Sequence, residues 1–390
     1  MGEMKARPQV RTPSLGFSPD PERSATLPSH YYYDPAIFSR ECEEIFFKSW
    51  QFVGFAHDLS TPGDYVTSEI VDQKVFVVRT KGGTLRAFHN VCMHRGHVLL
   101  EGAGNARAIT CPFHAWTYDF EGNLKAAGNA ENVAGFDHSD FGLSEVLVEE
   151  FARMVFVNFD AGAVSLNEQA ADLAVDIRAS VPGFDELKFV RSDPFDIRAN
   201  WKFVFDGLEC YHCPHIHPDL MGRDDSPFEM SFEATERETW AKHFNRSNTD
   251  VVAGDPDKLP WDYSGADAIR DTHIWYLWPN LMMAAHPGAS NFKARHVMPH
   301  AADFSKQHIH HLAINDPPTT ADIANFDYIR DVLDPQDIYA MEQQQMGVRS
   351  RGYARGRLMV DAERSWRSEH GTHHFDNMVW RALNGTTYEA

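Results

Sequence analysis

Residues 92–116 read CMHRGHVLLEGAGNARAITCPFHAW, and this stretch decides how the first half of the chain is interpreted. It contains two pairs of metal-binding side chains. Cys92 and His94 form a C-x-H pattern, and Cys111 and His114 form a C-x-x-H pattern. Two cysteines and two histidines can bind a zinc ion or an iron–sulfur cluster. The stretch therefore predicts a metal centre held by two loops.

The C-x-H spacing of the first pair favours a [2Fe-2S] cluster of the Rieske type. In that cluster both cysteines bind one iron and both histidines bind the other, whereas C-x-H is an unusual first pair for a zinc finger. His97 lies off the pattern, and we expect it to pack or hydrogen-bond locally. We predict the cluster ligands as Cys92, His94, Cys111 and His114, with a structural zinc site as the alternative.

Short β-rich runs surround this motif, at 51–55, 74–79 and 85–90, and turn signals separate them. They predict a small all-β domain. Further along, helical patterns alternate with β-rich stretches, which predicts an α+β second domain with an antiparallel sheet and helices. The predicted boundaries are an N-terminal arm and helix at 1–45, a cluster domain at 46–160 and a catalytic domain at 161–390.

Composition excludes several classes of function. The net charge of −20 disfavours binding to nucleic acid or anionic lipid, since either requires a basic surface. No apolar run is long enough to span a bilayer. We find no secretory signal, and five cysteines are too few and too clustered for a disulfide framework. These features predict a cytoplasmic protein in which some cysteines bind metal.

A second constellation lies at residues 200–218, NWKFVFDGLECYHCPHIHP. Two imidazoles and one carboxylate on one face of Fe(II) leave positions open for O2 and substrate. We predict His212 and His217 as the imidazoles, with His215 as the competing ligand. A continuous helix would point His212 and His217 apart, so we expect a helix over about 201–213 that Pro214 breaks.

The carboxylate ligand must come from elsewhere in the chain, and Asp337 is the best candidate. Asp334 resembles a helix N-cap with a proline at the first helical position, which places Asp337 in the first turn. Spacing leaves Asp331 and Glu342 open as alternatives.

Cys210 and Cys213 form a C-x-x-C pattern beside this site. The pattern is typical of a redox dithiol or half of a zinc site. Thiolates are soft ligands and would be oxidised beside an oxygen-activating iron. We therefore expect both cysteines to pack around the helix.

Together the two motifs resemble the alpha subunits of Rieske non-haem iron oxygenases, over about residues 31–383. The stretches FHNVC at 88–92, LECYHC at 208–213, SRGY at 350–353 and SEHG at 368–371 are most similar to the branch with carnitine monooxygenase, stachydrine demethylase and glycine betaine demethylase. Gly207 departs from the pattern, because the family usually has Asn there.

The resemblance implies iron ligands His212, His217 and Asp337, and a bridging role for Glu209 between this iron and a cluster histidine of a neighbouring subunit. It also implies a homotrimer. Electrons would come from NAD(P)H through a separate flavin and iron–sulfur reductase.

The predicted reaction is O2-dependent hydroxylation of a small substrate. A quaternary ammonium compound of the carnitine, betaine or stachydrine type would lose an N-methyl group or undergo C–N cleavage. Its cation needs an aromatic cage, and the candidate walls are Phe203, Phe205, Trp275, Tyr276 and Trp278. The alternatives are ring hydroxylation of an aromatic acid, whose pocket should offer an Arg or other donors, and a Rieske electron carrier without oxygenase activity.

Overall fold

The computed structural model describes residues 14–388, except 222–225, 227, 230, 232 and 249–268. It divides into two compact units. One unit is Cys42–Val175, and the other combines Met1–Glu41 with Asp176–Ala390. The first part of the predicted N-terminal arm, residues 1–13, lies outside the described residues. Within the described ranges, no helix has the length and apolar character needed to cross a membrane.

The unit Cys42–Val175 is built on antiparallel strands. A seven-stranded sheet has the order β1-β10-β9-β4-β3-β2-β5, and a three-stranded sheet has the order β6-β7-β8. The predicted all-β character of this domain is confirmed. The strands are β1 Gln51–Phe55, β2 Asp64–Ile70, β3 Gln73–Arg79, β4 Leu85–His89, β5 Ala103–Asn105, β6 Ile109–Thr110, β7 Thr117–Tyr118, β8 Leu124–Ala126, β9 Glu145–Phe151 and β10 Met154–Asn158.

The core of this unit forms because β3 and β4 carry apolar residues on their inward faces. Phe76 on β3 packs on Phe88 of β4, with ring centroids 5.5 Å apart, and both side chains are buried. Tyr118 on β7 belongs to the same buried cluster. This core supports the two loops that carry the C-x-H and C-x-x-H motifs. Two helices follow, α2 Leu166–Gln169 and α3 Ala171–Ser180.

The second unit contains a seven-stranded antiparallel sheet of order β11-β17-β16-β15-β14-β13-β12. Its long central hairpin, β16 with β17, pairs Arg295 with Ile309 and Lys293 with His311. The predicted antiparallel sheet of the α+β domain is confirmed. The strands are β11 Lys188–Ile197, β12 Glu233–Glu236, β13 Trp240–Asn245, β14 Thr272–Leu277, β15 Leu281–Ala285, β16 Asn291–Ala301 and β17 Phe304–Ala313.

Helices complete this unit. In α1 the Asp34 carboxylate accepts a hydrogen bond from the Ala36 amide at 2.8 Å, so it caps the helix. The helices are α1 Pro35–Glu41, α4 Lys202–Asp206, α5 Cys213–Ile216, α6 Thr320–Tyr328, α7 Asp334–Val348 and α8 His370–Asn384.

The helix expected over 201–213 is wrong in its extent and in the role of the proline. Helix α4 ends at Asp206, and Gly207 follows as its C-cap. Pro214 then lies in the first turn of α5, where a missing amide N–H costs little because that amide has no partner in the helix. Pro214 thus opens a helical turn between His212 and His217, instead of ending a longer helix.

The N-cap role predicted for Asp334 is also wrong. The sequence suggests a helix N-cap, but Asp334 is the first residue of α7 and is fully buried. Its carboxylate accepts from the Arg295 guanidinium at 2.5 Å. Pairing with the Arg295 cation on β16 therefore replaces the capping role.

Candidate metal centres and substrate cavity

The two motif loops of the first unit have the same backbone design. In the first, the Cys92 amide donates to the His97 carbonyl at 2.8 Å and the Gly96 amide donates to the Cys92 carbonyl at 2.9 Å. Gly96 has φ +73°, a left-handed conformation that glycine adopts without strain. In the second, the Cys111 amide donates to the Trp116 carbonyl at 2.8 Å. Each loop is a closed turn that presents its Cys at the base.

Each loop carries one predicted cysteine ligand, which is buried, and one predicted histidine ligand, which is exposed. Cys92 and Cys111 are both 2% exposed. His94 and His114 are exposed, and their ring centroids lie 4.8 Å apart. Two buried thiols behind two outward imidazoles suit a cluster with one Cys-bound and one His-bound iron.

Aromatic residues support both loops. Trp116 stacks on His94 with ring centroids 4.7 Å apart and an angle of 11°. The Tyr118 hydroxyl lies 3.4 Å from the Cys92 sulfur and accepts from the Met93 amide at 3.0 Å. Hydrogen bonds to ligand sulfurs influence cluster potential. His97 lies off the ligand pairs, and its Nδ1 is 2.6 Å from the Val98 carbonyl.

In the second unit, His212, His217 and Asp337 come together. Each offers one ligand atom, and the three atoms lie within 4.8 Å of one another. His217 Nε2 is 3.0 Å from the Asp337 carboxylate. His212 precedes α5, His217 follows it, and Asp337 lies in the first turn of α7. Two imidazoles and a carboxylate at this spacing fit a mononuclear iron with open positions.

A carboxylate or amide oxygen orients each imidazole. His212 Nδ1 lies 2.5 Å from the Glu209 carboxylate, and His217 Nδ1 lies 2.7 Å from Gln336 Oε1. Both oxygens accept, so both Nδ1 atoms carry the proton and both Nε2 lone pairs remain available for a metal. Gln336 was not found from the sequence, although it directly precedes Asp337.

The charges around the site favour the ionised Asp337 carboxylate that metal binding requires, and they raise the proton affinity of His212. Burial opposes ionisation of Asp337, but the hydrogen bond and charge of His217 outweigh burial and lower the pKa of that carboxyl. Burial likewise opposes protonation of His212, whose pKa is nevertheless raised by the hydrogen bond and charge of Glu209. Asp337 is therefore ionised at neutral pH.

The alternative ligands lie elsewhere. His215 is exposed and is absent from the described group of three ligand atoms. Asp331 pairs with Arg330 at 2.6 Å, and its side chain is 56% exposed. The Glu342 carboxylate accepts from the Arg198 amide at 3.1 Å.

Cys210 and Cys213 are joined by a disulfide. The expectation that they pack as thiols around a helix is therefore wrong. They flank His212 in the sequence, and the Cys213 amide donates to the Cys210 carbonyl at 3.2 Å in a tight turn that leads into α5. Both line the cavity described next.

A cavity of about 340 Å³ opens on the three proposed iron ligands. The sheet forms one wall, with Ile274, Met282 and Arg295, and the segment around α4 and α5 forms another. Carboxylates also line it. One of them is Asp206, where burial raises the pKa to about 7.

Of the five predicted cage aromatics, Phe203 lines this cavity. The other four do not appear among its described lining residues. Strand alternation explains why Trp275 does not line the cavity. Its neighbour Ile274 faces the cavity, so Trp275 faces away and donates its indole N–H to Asp176 at 2.6 Å. The remaining three pack around Phe375 in the core: Phe205, Tyr276 and Trp278.

Comparisons with known proteins agree with this geometry. Residues 49–137 match the Rieske [2Fe-2S] domain, and residues 184–385 match the ring hydroxylating alpha subunit (catalytic domain). The carnitine monooxygenase oxygenase subunit of Escherichia coli (strain K12) is 35% identical over 367 residues, covering 93% of this chain and 95% of that protein. The glycine betaine monooxygenase oxygenase subunit of Chromohalobacter salexigens is 36% identical over 198 residues, covering 50% and 44%.

A solved structure is similar as well. The quaternary ammonium Rieske monooxygenase CntA in complex with L-carnitine superposes with a TM-score of 0.82 and 31% identity, covering 94% of this chain and 98% of that one. Both family matches, the full-length relative and the fold agree with the two sites derived from the residues. The chain therefore belongs to the alpha subunits of the Rieske non-haem iron oxygenases.

Proposed function

We propose that the chain is the oxygenase component of a monooxygenase that hydroxylates an N-methyl carbon of a quaternary ammonium compound. The observation that carries the proposal is the group His212, His217 and Asp337, whose ligand atoms converge beside a substrate-sized cavity. An electron carrier has no use for such a cavity. Relatives named for carnitine, glycine betaine and choline support the substrate class.

The roles of the residues follow from their placement. Cys92, His94, Cys111 and His114 would hold the [2Fe-2S] cluster, and His212, His217 and Asp337 would hold the iron. With both centres loaded, the protein can reduce O2 and hydroxylate a C–H bond. The cavity walls would orient the substrate and exclude water.

Glu209 is the proposed link between the centres. Its carboxylate holds the Nδ1 proton of His212 and also accepts from the His212 amide at 3.2 Å. It lines the cavity as well. We propose that it connects the iron site to a cluster histidine of a neighbouring subunit in a homotrimer, and that a separate NAD(P)H-dependent reductase supplies electrons.

The net reaction consumes one O2, two electrons and two protons. One oxygen atom enters the N-methyl C–H bond and the other leaves as water. The resulting N-hydroxymethyl group breaks its C–N bond and releases formaldehyde, leaving the tertiary amine as its ammonium form. Formaldehyde is thus a direct signature of this reaction and is absent from ring hydroxylation.

The test is a substrate panel with the purified holoenzyme, a reductase and NADH. The panel contains L-carnitine, γ-butyrobetaine, glycine betaine, choline and benzoate, scored by O2 consumption and formaldehyde. We expect at least one quaternary ammonium compound to give about one formaldehyde per O2. Coupled O2 consumption with benzoate alone, without formaldehyde, would overturn the proposal in favour of aromatic acid oxygenation.

A further inference from the structure

Two cations on strand β16 face the cavity. Lys293 and Arg295 both line it, because alternate residues of a strand share a face and lie about 7 Å apart. The nearby Asp337 carboxyl feels the charge of Arg295, which helps to lower its pKa. Arg295 is therefore close to the proposed iron. Lys293 lies two residues before it on β16, on the same side of the strand.

The two cations differ in their partners. Arg295 is neutralised by the buried carboxylate of Asp334 at 2.5 Å. The Lys293 ammonium instead donates to Asn291 Oδ1 at 2.9 Å and lies 3.0 Å from His286 Nδ1. Neither partner carries a negative charge. An ammonium has three donors, so one remains for a ligand.

Lys293 is deeply buried, with 3% of its surface exposed. Among the residues that the structure describes, none forms an ion pair with it. The charge of Asp322 has a smaller effect on the pKa of Lys293 than burial has. The Asp322 carboxylate already accepts hydrogen bonds from Thr319 and Asn315. Burial lowers the pKa of Lys293 well below its usual value. A buried lysine without a counter-charge is costly unless an anion completes the site.

The cavity is therefore charged unequally. The carboxylates come from α4, from the segment that follows it and from α7, namely Asp206, Glu209 and Asp337, whereas the cation without a carboxylate partner lies on the sheet. A zwitterion with an ammonium at one end and a carboxylate at the other matches this arrangement.

We propose that Lys293 is a specificity-determining residue that binds the carboxylate of a zwitterionic quaternary ammonium substrate, with Asn291 and His286 holding its side chain in place. This inference rests on the proposed function and narrows its substrate class. It favours betaines with a free carboxylate over choline, which has a hydroxyl group in that position.

Binding can be tested without turnover. Isothermal titration of the holoenzyme under anaerobic conditions compares γ-butyrobetaine with its methyl ester, which differ only in the anionic charge. We expect the free acid to bind about tenfold to a hundredfold more tightly, the ratio that a hydrogen bond between charged groups supplies. Equal affinities, or no binding of either compound, would overturn the role of Lys293.

Variants localise the effect. Lys293→Met should weaken γ-butyrobetaine binding by that same factor and leave the affinity for the ester within about twofold. Lys306→Met is the matched control, because Lys306 is exposed on β17. This variant should bind both compounds like the wild type. A wild-type preference that persists in Lys293→Met would assign carboxylate recognition to another residue and overturn the inference.

Different experiments test the two proposals, so one proposal can be contradicted while the other holds. The titration decides on Lys293 whether or not the enzyme turns over, and formaldehyde release in the substrate panel decides on N-demethylation. Release of formaldehyde from choline at the same kcat/KM as from γ-butyrobetaine would contradict the inference and leave the proposed function intact.

Discussion

At the scale of single residues, the proposed iron site depends on two side chains that would not contact the metal. Glu209 and Gln336 each bind the Nδ1 side of one imidazole. Such contacts set the tautomer and orientation of a ligand histidine, and their loss typically costs tenfold to a hundredfold in affinity or activity. Glu209 differs from Gln336 because it also carries a charge that raises the pKa of His212.

Replacing Glu209→Gln should therefore keep the hydrogen bond and remove the charge. We expect both metal centres to remain loaded and the single-turnover rate of electron transfer from the reduced cluster to fall by about tenfold or more. Stopped-flow absorbance of the cluster measures this rate. Asp331→Asn, which removes a charge from an exposed ion pair, is the control. An undiminished rate in Glu209→Gln would remove the bridging role.

The sequence predicted His212 and His217 because both lie in one short motif rich in metal-binding side chains, and the family resemblance favoured Asp337 over Asp331 and Glu342. Gln336 and Lys293 escaped detection for a physical reason. The role of Gln336 depends on His217, which is 119 residues away, and the role of Lys293 depends on the face of β16 that it occupies. The cage aromatics were selected by composition, and strand alternation placed Trp275 on the opposite face.

At the scale of secondary structure elements, helix α8 holds the segment that carries Glu209. A Cβ atom added at Gly371, in the first turn of α8, would lie 2.2 Å from the Leu208 carbonyl oxygen and 3.0 Å from His243 Nε2. Only a glycine allows this close approach. The Thr372 hydroxyl also donates to the Asp206 carbonyl at 2.6 Å. The start of α8 thus fixes the turn that follows α4.

Gly371→Ala should disturb the iron site from a distance. Overpacking of this kind costs about 1–3 kcal/mol, and we expect a lower free energy of unfolding together with reduced mononuclear iron. Urea unfolding and iron analysis measure the two effects. In the control Gly347→Ala, an added Cβ atom on α7 meets nothing within 4 Å, so helix propensity should stabilise the protein by up to about 1 kcal/mol. Full iron content in Gly371→Ala would show that α8 does not position the site.

Helix α1 is joined to the start of α4 by a buried ion pair. The Glu41 carboxylate accepts from the Lys202 ammonium and from the Trp201 indole, the latter at 2.9 Å. Neither side chain of the Lys202–Glu41 pair is exposed. Removal of one partner leaves an uncompensated charge in the core.

Glu41→Gln should destabilise this unit by about 3–5 kcal/mol. The exposed pair of Glu44 and Lys48 provides the control, since its side chains are 44% and 53% exposed. Glu44→Gln should change the free energy of unfolding by about 1 kcal/mol or less. Urea unfolding measures both free energies. Similar decreases in the free energy of unfolding for both substitutions would show that the buried pair stabilises the protein no more than the exposed pair.

The strands were easier to predict than the helices near the site. The run 51–55 matches β1 at both ends, because a short run rich in β-branched and aromatic residues is a local signal. The helix expected over 201–213 failed because Gly207, a disulfide and contacts with distant α8 override helix propensity there. Tertiary contacts of this kind leave no periodic pattern in a sequence.

At the scale of the whole molecule, the chain contains two units with one proposed metal centre each. The unit Cys42–Val175 carries the two loops with buried thiols and outward imidazoles, and the other unit carries the cavity with His212, His217 and Asp337. The centres use different residues in different units. Each should therefore be removable without loss of the other.

Metal analysis of the wild type and two variants tests this separation most directly. We expect about three irons and two acid-labile sulfides per chain in the wild type. His212→Ala should retain the visible absorption of the cluster with about two irons and two sulfides, and should lose turnover. Cys111→Ser should lose both the sulfide and the colour. Tightly bound zinc in the wild type, or loss of colour in both variants, would contradict the assignment of two separate iron centres.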